Sequence, residues 1–139
     1  MTQYSTLYEK CLSKLEDPTL AMLPEEDLEN MLHGYLMSAI AKHRKCEHDL
    51  SDRDEELKQF NFDLSDLEME ILSILMVREW ISVQLHSVVN TLQVFGGKEE
   101  RFYAQSSHIK ELREMDDRLR LEAQQLSRDY SYTYNDYFD

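Results

Sequence analysis

The sequence is poor in glycine, proline and cysteine, and each shortage excludes a class of structure. Three Gly in 139 residues leave little backbone freedom for phosphate-binding loops, nucleophile elbows or dinucleotide-binding fingerprints, and none of these motifs is present. Two Pro, together with abundant Leu, Glu, Met and Lys, favour helix almost throughout. Two cysteines, Cys11 and Cys46, are too few for a disulfide framework, so we expect a reducing compartment.

Positive charge is also scarce. The chain has 15 Lys and Arg against 28 Asp and Glu, which gives a formal net charge of -13 at pH 7. Because binding to a nucleic-acid backbone or an anionic membrane needs clustered cations, this composition argues against both. The most apolar run, residues 71–77, is far shorter than the ~20 residues that cross a bilayer. With 42% apolar residues the chain has enough material for one core, so we expect a single soluble domain.

Hydrophobic periodicity predicts an all-α fold, an elongated bundle of about four helices. The helices are expected at about residues 2–16, 24–45, 65–94 and 106–128. The third has the clearest start, because Ser65 and Glu68 have the spacing of a capping box. If unbroken it would be about 45 Å long, so we expect it either to bend or to use its second half for an intermolecular contact. In the fourth helix, apolar residues recur with the four-three spacing of a coiled-coil seam that Asp116 interrupts.

The segment between the second and third helices is acidic, and we predict a connection with a short helical turn near residues 52–58. At its end, residues 60–62 (Phe-Asn-Phe) alternate like a strand. Three residues cannot pair without a partner strand, and another chain could supply that partner.

The last ten residues, 130–139, are rich in aromatic side chains and lack the branched aliphatic residues of a core. The aromatic residues are Tyr130, Tyr132, Tyr134, Tyr137 and Phe138. We predict a helical domain over residues 1–129, followed by an extended tail. Since aromatic residues are enriched at interfaces, this tail is a candidate protein interface, together with Phe60 and Phe62. The alternative is that the tail folds back on its own helices and pairs with Phe60 and Phe62 as a small ribbon.

No constellation of residues predicts catalysis. The best metal candidate is His43 with Cys46 and His48, a donor set that suits zinc, but the spacing is generic and a fourth ligand would have to come from Cys11 or His33. The alternative is a helix end at which His43 caps carbonyls and Cys46 packs. The acidic runs are typical of a solvated face rather than of an acid/base pair. We therefore expect no enzyme, no cofactor and no metal.

Four stretches carry a family resemblance. They are LHGYLMSAIAK (residues 32–42), DLSDRDEELKQFNFDLSDLEMEILSILMVREWI (49–81), FYAQSSHIKELREM (102–115) and RDYSYTYND (128–136). In this order they resemble neck proteins of tailed bacteriophages, the head-to-tail adaptor or connector family. The most specific part is the acidic loop that is followed by FNF and then by a capped apolar helix.

The resemblance implies a small helical virion protein that assembles into a ring, expected to be a dodecamer, under the portal protein. The ring would join the capsid to a head-closure or tail-completion protein, and genome DNA would pass through its centre without specific binding. Its location would be the virion neck, and the host cytoplasm during assembly. The family has no catalytic residues to carry over; its contact elements correspond here to the acidic loop with Phe60 and Phe62, the third helix and the tyrosine tail. The family frequently has a proline near the position of Val83, where this chain departs from it.

Two other classes of function stay open. An acidic helical protein could regulate a host enzyme. It could also mimic DNA and inhibit a basic host protein by occupying its DNA-binding cleft.

Overall fold

The computed structural model describes residues 1–15, 22–43, 49–95 and 99–134, with the side chains of 1–15, 22–43, 49–87 and 106–130. Within these residues the chain forms four helices and one short hairpin. In chain order they are α1 (Tyr4–Lys14), α2 (Glu25–Lys42), β1 (Arg53–Asp54), β2 (Gln59–Phe60), α3 (Asp66–Phe95) and α4 (Glu99–Tyr134). The prediction of an all-α bundle of about four helices is confirmed. Among the described helices, none has the length and apolar character needed to span a membrane.

The start of α3 is fixed by the predicted capping box. The Ser65 N–H donates to Glu68 Oε1 at 3.0 Å, and the Glu68 N–H donates to Ser65 Oγ at 3.1 Å. The helix then runs for 30 residues, or about 45 Å, without the break considered near Val83. The physical reason is that Val83, unlike a proline, keeps its N–H for the helix ladder. Residues from the first half of α3 supply much of the core, namely Ile71, Leu72, Ile74, Met76, Val77 and Ile81.

Helices α1 and α2 pack against this first half of α3. The α1 helix buries Leu7 and Cys11, while Lys10 and Lys14 pair with Glu70 of α3. The α2 helix buries Leu32, Leu36 and Ala39. With 11 and 18 residues, α1 and α2 are about 16 and 27 Å long, so both are much shorter than α3.

The α4 helix lies antiparallel to α3 and buries the predicted seam. Its buried residues are Leu112, Leu119, Ala123 and Tyr130, which keep the heptad phase. Asp116, the interruption in this seam, accepts a hydrogen bond from Arg78 Nε of α3 at 2.9 Å. The polar seam position is therefore paired across the two helices.

The expectation of an extended tail from residue 130 is wrong for residues 130–134, because α4 continues to Tyr134 instead of ending at Arg128. The reason is the register of the helix: Tyr130 falls in the seam, and burying it holds the last turns against α3. Residues 135–139, with Tyr137 and Phe138, lie outside the described residues, as do the side chains of Tyr132 and Tyr134.

The helical turn expected near residues 52–58 is also wrong, because this segment is an antiparallel hairpin that pairs Arg53 with Phe60 and Asp54 with Gln59. Asp54 Oδ1 accepts hydrogen bonds from the N–H groups of Glu56 and Leu57, at 2.9 and 3.0 Å. Lys58 has a φ of 52°, in the left-handed region. Such an aspartate turn competes with helix by satisfying the backbone locally.

The partner of the Phe-Asn-Phe segment is the N-terminus of the same chain, not a second chain. Phe60 N–H donates to Thr2 O at 2.8 Å, and Thr2 N–H donates to Phe62 O at 3.0 Å. Tyr4 N–H donates to Lys58 O at 2.9 Å. This edge of the hairpin is therefore occupied within the folded chain.

Candidate functional site

The predicted interface residues Phe60 and Tyr130 are buried in the chain's own core, with 0% and 2% of their surfaces exposed. The Phe60 ring meets Tyr4 edge-on, with ring centroids 5.2 Å apart, and lies 5.6 Å from the half-buried Phe62. Aromatic side chains suit cores as well as interfaces, and here the N-terminal segment closes over Phe60. Neither Phe60 nor Tyr130 is available to a partner while the chain is folded, so these two assignments are corrected.

Tyr130 belongs to a buried polar cluster where the start of α3 meets the end of α4. Its hydroxyl donates to Glu68 Oε2 at 3.4 Å, and its ring meets the His43 imidazole edge-on at 6.0 Å. Glu68, which also caps α3, has 0% of its surface exposed. Tyr130 is therefore buried as part of α4, and it does not form a ribbon with Phe60 and Phe62.

The metal candidate is only partly described, because Cys46 and His48 lie outside the described residues. Within the described part of the chain, no three His, Cys, Asp or Glu side chains are grouped closely enough to hold a metal ion. His43 follows the last residue of α2 and donates its backbone N–H to Ala39 O at 3.0 Å. Its side chain is 7% exposed, and Nε2 has no hydrogen-bond partner. Burial lowers the pKa of His43, an effect that the nearby Glu68 carboxylate partly opposes.

One carboxylate of the acidic segment is structural. Glu55 Oε1 accepts from Arg53 Nε at 2.8 Å and from the Tyr4 hydroxyl at 3.0 Å, and Glu55 Oε2 lies 2.8 Å from His33 Nε2. Hydrogen bonds, first from Arg53 and then from His33, lower the pKa of Glu55 to about 2. Glu55 therefore fastens the hairpin to α1 and α2 as a carboxylate, a role that the reading of a uniformly solvated acidic run missed.

The rest of the hairpin crest is exposed. Asp52 is exposed although its carboxylate accepts a hydrogen bond from Asn61 Nδ2 at 3.0 Å, and Glu56 is exposed as well. The exposed fraction of Leu57 is 66%, more than for most described apolar residues. Because the aspartate turn at Asp54 fixes the backbone, the crest presents Glu56 and Leu57 in one conformation. A preformed surface of this kind loses little conformational freedom when a partner binds.

A basic cleft of about 620 Å³ lies between α2, α3 and α4. Its cations are Lys42 at the end of α2, Arg78 of α3, and Arg120 and Arg128 of α4. Among the described residues, no Asp or Glu lines this cleft, although Asp and Glu outnumber Lys and Arg in the chain as a whole. Sequence reasoning missed it because the four cations come from three helices and form no run along the chain.

Comparisons with family models, with curated proteins and with solved structures find no match to this chain.

Proposed function

We propose that this protein is a structural virion protein of a tailed bacteriophage, which forms a ring under the portal, connects the capsid to the tail and lines the DNA channel. The proposal rests first on the four stretches that resemble neck proteins. The structural observation that supports it best is the long antiparallel pair α3 and α4, because this pair extends past the other two helices.

The lengths of the helices support a role in assembly. With 30 and 36 residues, α3 and α4 are about 45 and 54 Å long, whereas α1 and α2, with 11 and 18 residues, are about 16 and 27 Å long. Among the described side chains that follow Ile81 in α3, residues 82–87, none is fully buried, and Val83 is 50% exposed. A compact four-helix base with a two-helix extension gives one subunit two separated regions for contacts. Ring assembly needs such an arrangement, because a head-to-tail interface joins two different surfaces of neighbouring subunits.

The contact surfaces that we propose from the structure differ from those predicted from the sequence. Phe60 and Tyr130 are replaced by the exposed hairpin crest around Glu56 and Leu57, and by the extension of α3 and α4. The proposed partners are neighbouring copies in the ring, the portal protein and a head-closure or tail-completion protein. An apolar side chain surrounded by carboxylates, such as Leu57, suits the centre of a small protein contact with a polar rim.

The net charge supports the proposed channel, since an acidic wall repels duplex DNA and lets it slide. We expect the purified protein not to retard duplex DNA in a gel-shift assay at physiological salt. Tight binding to DNA under these conditions would contradict a channel wall.

The experiment that tests the proposal is immunogold electron microscopy of purified particles with an antibody against this protein. We expect label at the junction of head and tail, and twelvefold symmetry at the same level in averaged images of the neck. Particles without label, from infected cells in which the protein is present, would contradict a virion role.

The acidic surface also favours the alternative of a regulator or a DNA-mimicking inhibitor of a host protein. Carboxylates on the fixed hairpin crest would then bind cations of the partner. Such a protein should capture one basic host protein from an infected-cell extract, in a complex that dissociates as salt is raised. The same protein would be missing from purified particles, so the two proposals predict opposite labelling.

A further inference from the structure

The basic cleft has a charge opposite to that of the whole chain. Arg120, Gln124, Ser127 and Arg128 follow one another at the spacing of a single helix face, and all four line the cleft. Apolar residues of α3, Ile71 and Leu75, also line it. The cleft therefore combines an apolar wall with a row of hydrogen-bond donors from α4.

Two of the four cations are already paired. Arg78 donates to Asp116 of the seam at 2.9 Å, and Lys42 pairs with Glu79 of α3. Among the described carboxylates, Arg120 pairs with Asp117 alone, one turn earlier on the same helix, at 3.8 Å and with both side chains largely exposed. Arg128 forms no ion pair with any described carboxylate. The guanidinium groups of Arg120 and Arg128 thus keep most of their donors for a ligand.

His43 of the cleft wall is the most deeply buried polar residue of the site. Its side chain is more than nine-tenths buried and lines the cleft, and its Nε2 has no hydrogen-bond partner. A buried polar atom without a partner is costly and rare in folded proteins. Because Nε2 is itself covered by protein atoms, the His43 ring serves as part of the cleft wall and as a reporter of what binds beside it, not as a donor to the ligand.

We propose that the basic cleft is a binding site for a small oxyanion, a phosphate or a carboxylate group. Arg120 and Arg128 bind its oxygens through their guanidinium groups, Ser127 and Gln124 add neutral donors, and the His43 ring lies in the wall beside the bound group. Guanidinium forks match the planar or tetrahedral oxygens of both groups. The site does not depend on the proposed neck function, and it would exist in a regulator of the same structure.

The surroundings of the cleft select a small ligand over a polyanion. Asp117, Glu122 and Asp129 are exposed on α4 beside Arg120 and Arg128. Duplex DNA would bring its phosphates against these carboxylates as well as against the arginines, whereas a single oxyanion meets only the cleft. The site is therefore compatible with the expectation that the protein does not bind DNA.

The test is a titration of the full-length protein with inorganic phosphate and, separately, with succinate, at constant ionic strength. Binding is followed by the NMR signals of the His43 imidazole. We expect a saturable shift with a dissociation constant in about the millimolar range. The variant R120Q/R128Q should raise the dissociation constant by a factor of about ten or more. The matched control R113Q/R118Q removes two exposed arginines of the same helix outside this cleft and should bind like the wild type.

The two probes separate the sources of the oxyanion. A shift with phosphate alone assigns the site to phosphate groups, a shift with succinate alone assigns it to carboxylates, and both together support a general oxyanion site. If neither probe moves the His43 signals, or if R113Q/R118Q weakens binding as much as R120Q/R128Q, the proposal is wrong. Arg120 and Arg128 are exposed, so the single variants R120Q and R128Q provide folded proteins for the same comparison, and circular dichroism confirms their helix content.

Discussion

The Glu55 carboxylate allows a sharp test of how the hairpin is held. We consider Glu55→Gln, which keeps the size of the side chain but removes its charge. Glu55 bonds Arg53, Tyr4 and His33 from three parts of the chain, and hydrogen bonds from Arg53 and His33 lower its pKa from 4.5 to about 2. If Glu55 were fully shielded from solvent, this difference in pKa would correspond to about 3 kcal/mol in the free energy of unfolding. Because 49% of the side chain is exposed, solvent screens the interaction, and we expect about 1 kcal/mol.

The dependence on pH follows from the direction of this change. A carboxyl whose pKa is lower in the folded state stabilises the fold above its unfolded pKa of 4.5, and this contribution is lost as the pH falls towards 2. Urea denaturation followed by circular dichroism should therefore show the full loss for E55Q at pH 7, and a much smaller loss at pH 3.

The adjacent residue provides the matched control. Glu56 is exposed at the crest, so E56Q makes the same chemical change one residue away and should alter stability by less than about 0.5 kcal/mol. The reasoning would be refuted if E55Q and E56Q behaved alike at pH 7, or if the loss for E55Q were as large at pH 3 as at pH 7.

Three further predictions concern α3, α4 and the C-terminus. Leu119→Ala in the seam should lower the free energy of unfolding by about 2–4 kcal/mol in urea denaturation. Leu121 is 58% exposed on the same helix, so Leu121→Ala should have little effect. Equal effects of the two substitutions would contradict the assignment of Leu119 to the seam. Ser65→Ala should cost about 1 kcal/mol in the same assay through loss of the α3 cap, with exposed Ser107→Ala as the control. Under the proposed function, deletion of residues 135–139 should leave the circular dichroism of the helices nearly unchanged but abolish joining of heads to tails in vitro, and loss of helix would contradict this expectation.

The helices were predictable because their signals are local. Ser65 and Glu68 are three residues apart, and each bonds the other's backbone, so the start of α3 could be placed without knowing the rest of the fold. The α4 seam repeats every seven residues from Leu112 to Leu119 and from Ala123 to Tyr130, and a helix with this period buries these positions against any suitable neighbour.

The docking of the hairpin and the basic cleft were not predictable because the residues that they bring together are distant in sequence. Thr2 bonds the outer edge of the hairpin at Phe60, and Glu55 is held by Tyr4 and His33. No local pattern of the acidic segment distinguishes Glu55 from its exposed neighbour Glu56. The cleft likewise requires the packing of three helices before its arginines meet, so composition alone could only describe the chain as acidic.

For residues 130–139, aromatic composition and helix register give different predictions. Five aromatic residues in ten indicated that residues 130–139 bury surface somewhere, but aromatic content does not distinguish a core from an interface. The register does: Tyr130 lies seven residues after Ala123, in phase with Leu112 and Leu119, so the heptad already predicts that it faces α3. Tyr132 and Tyr134 do not continue the four-three spacing. The interface prediction therefore narrows to the aromatic residues after Tyr130, and a deletion that begins at residue 135 tests Tyr137 and Phe138 while it keeps the buried Tyr130.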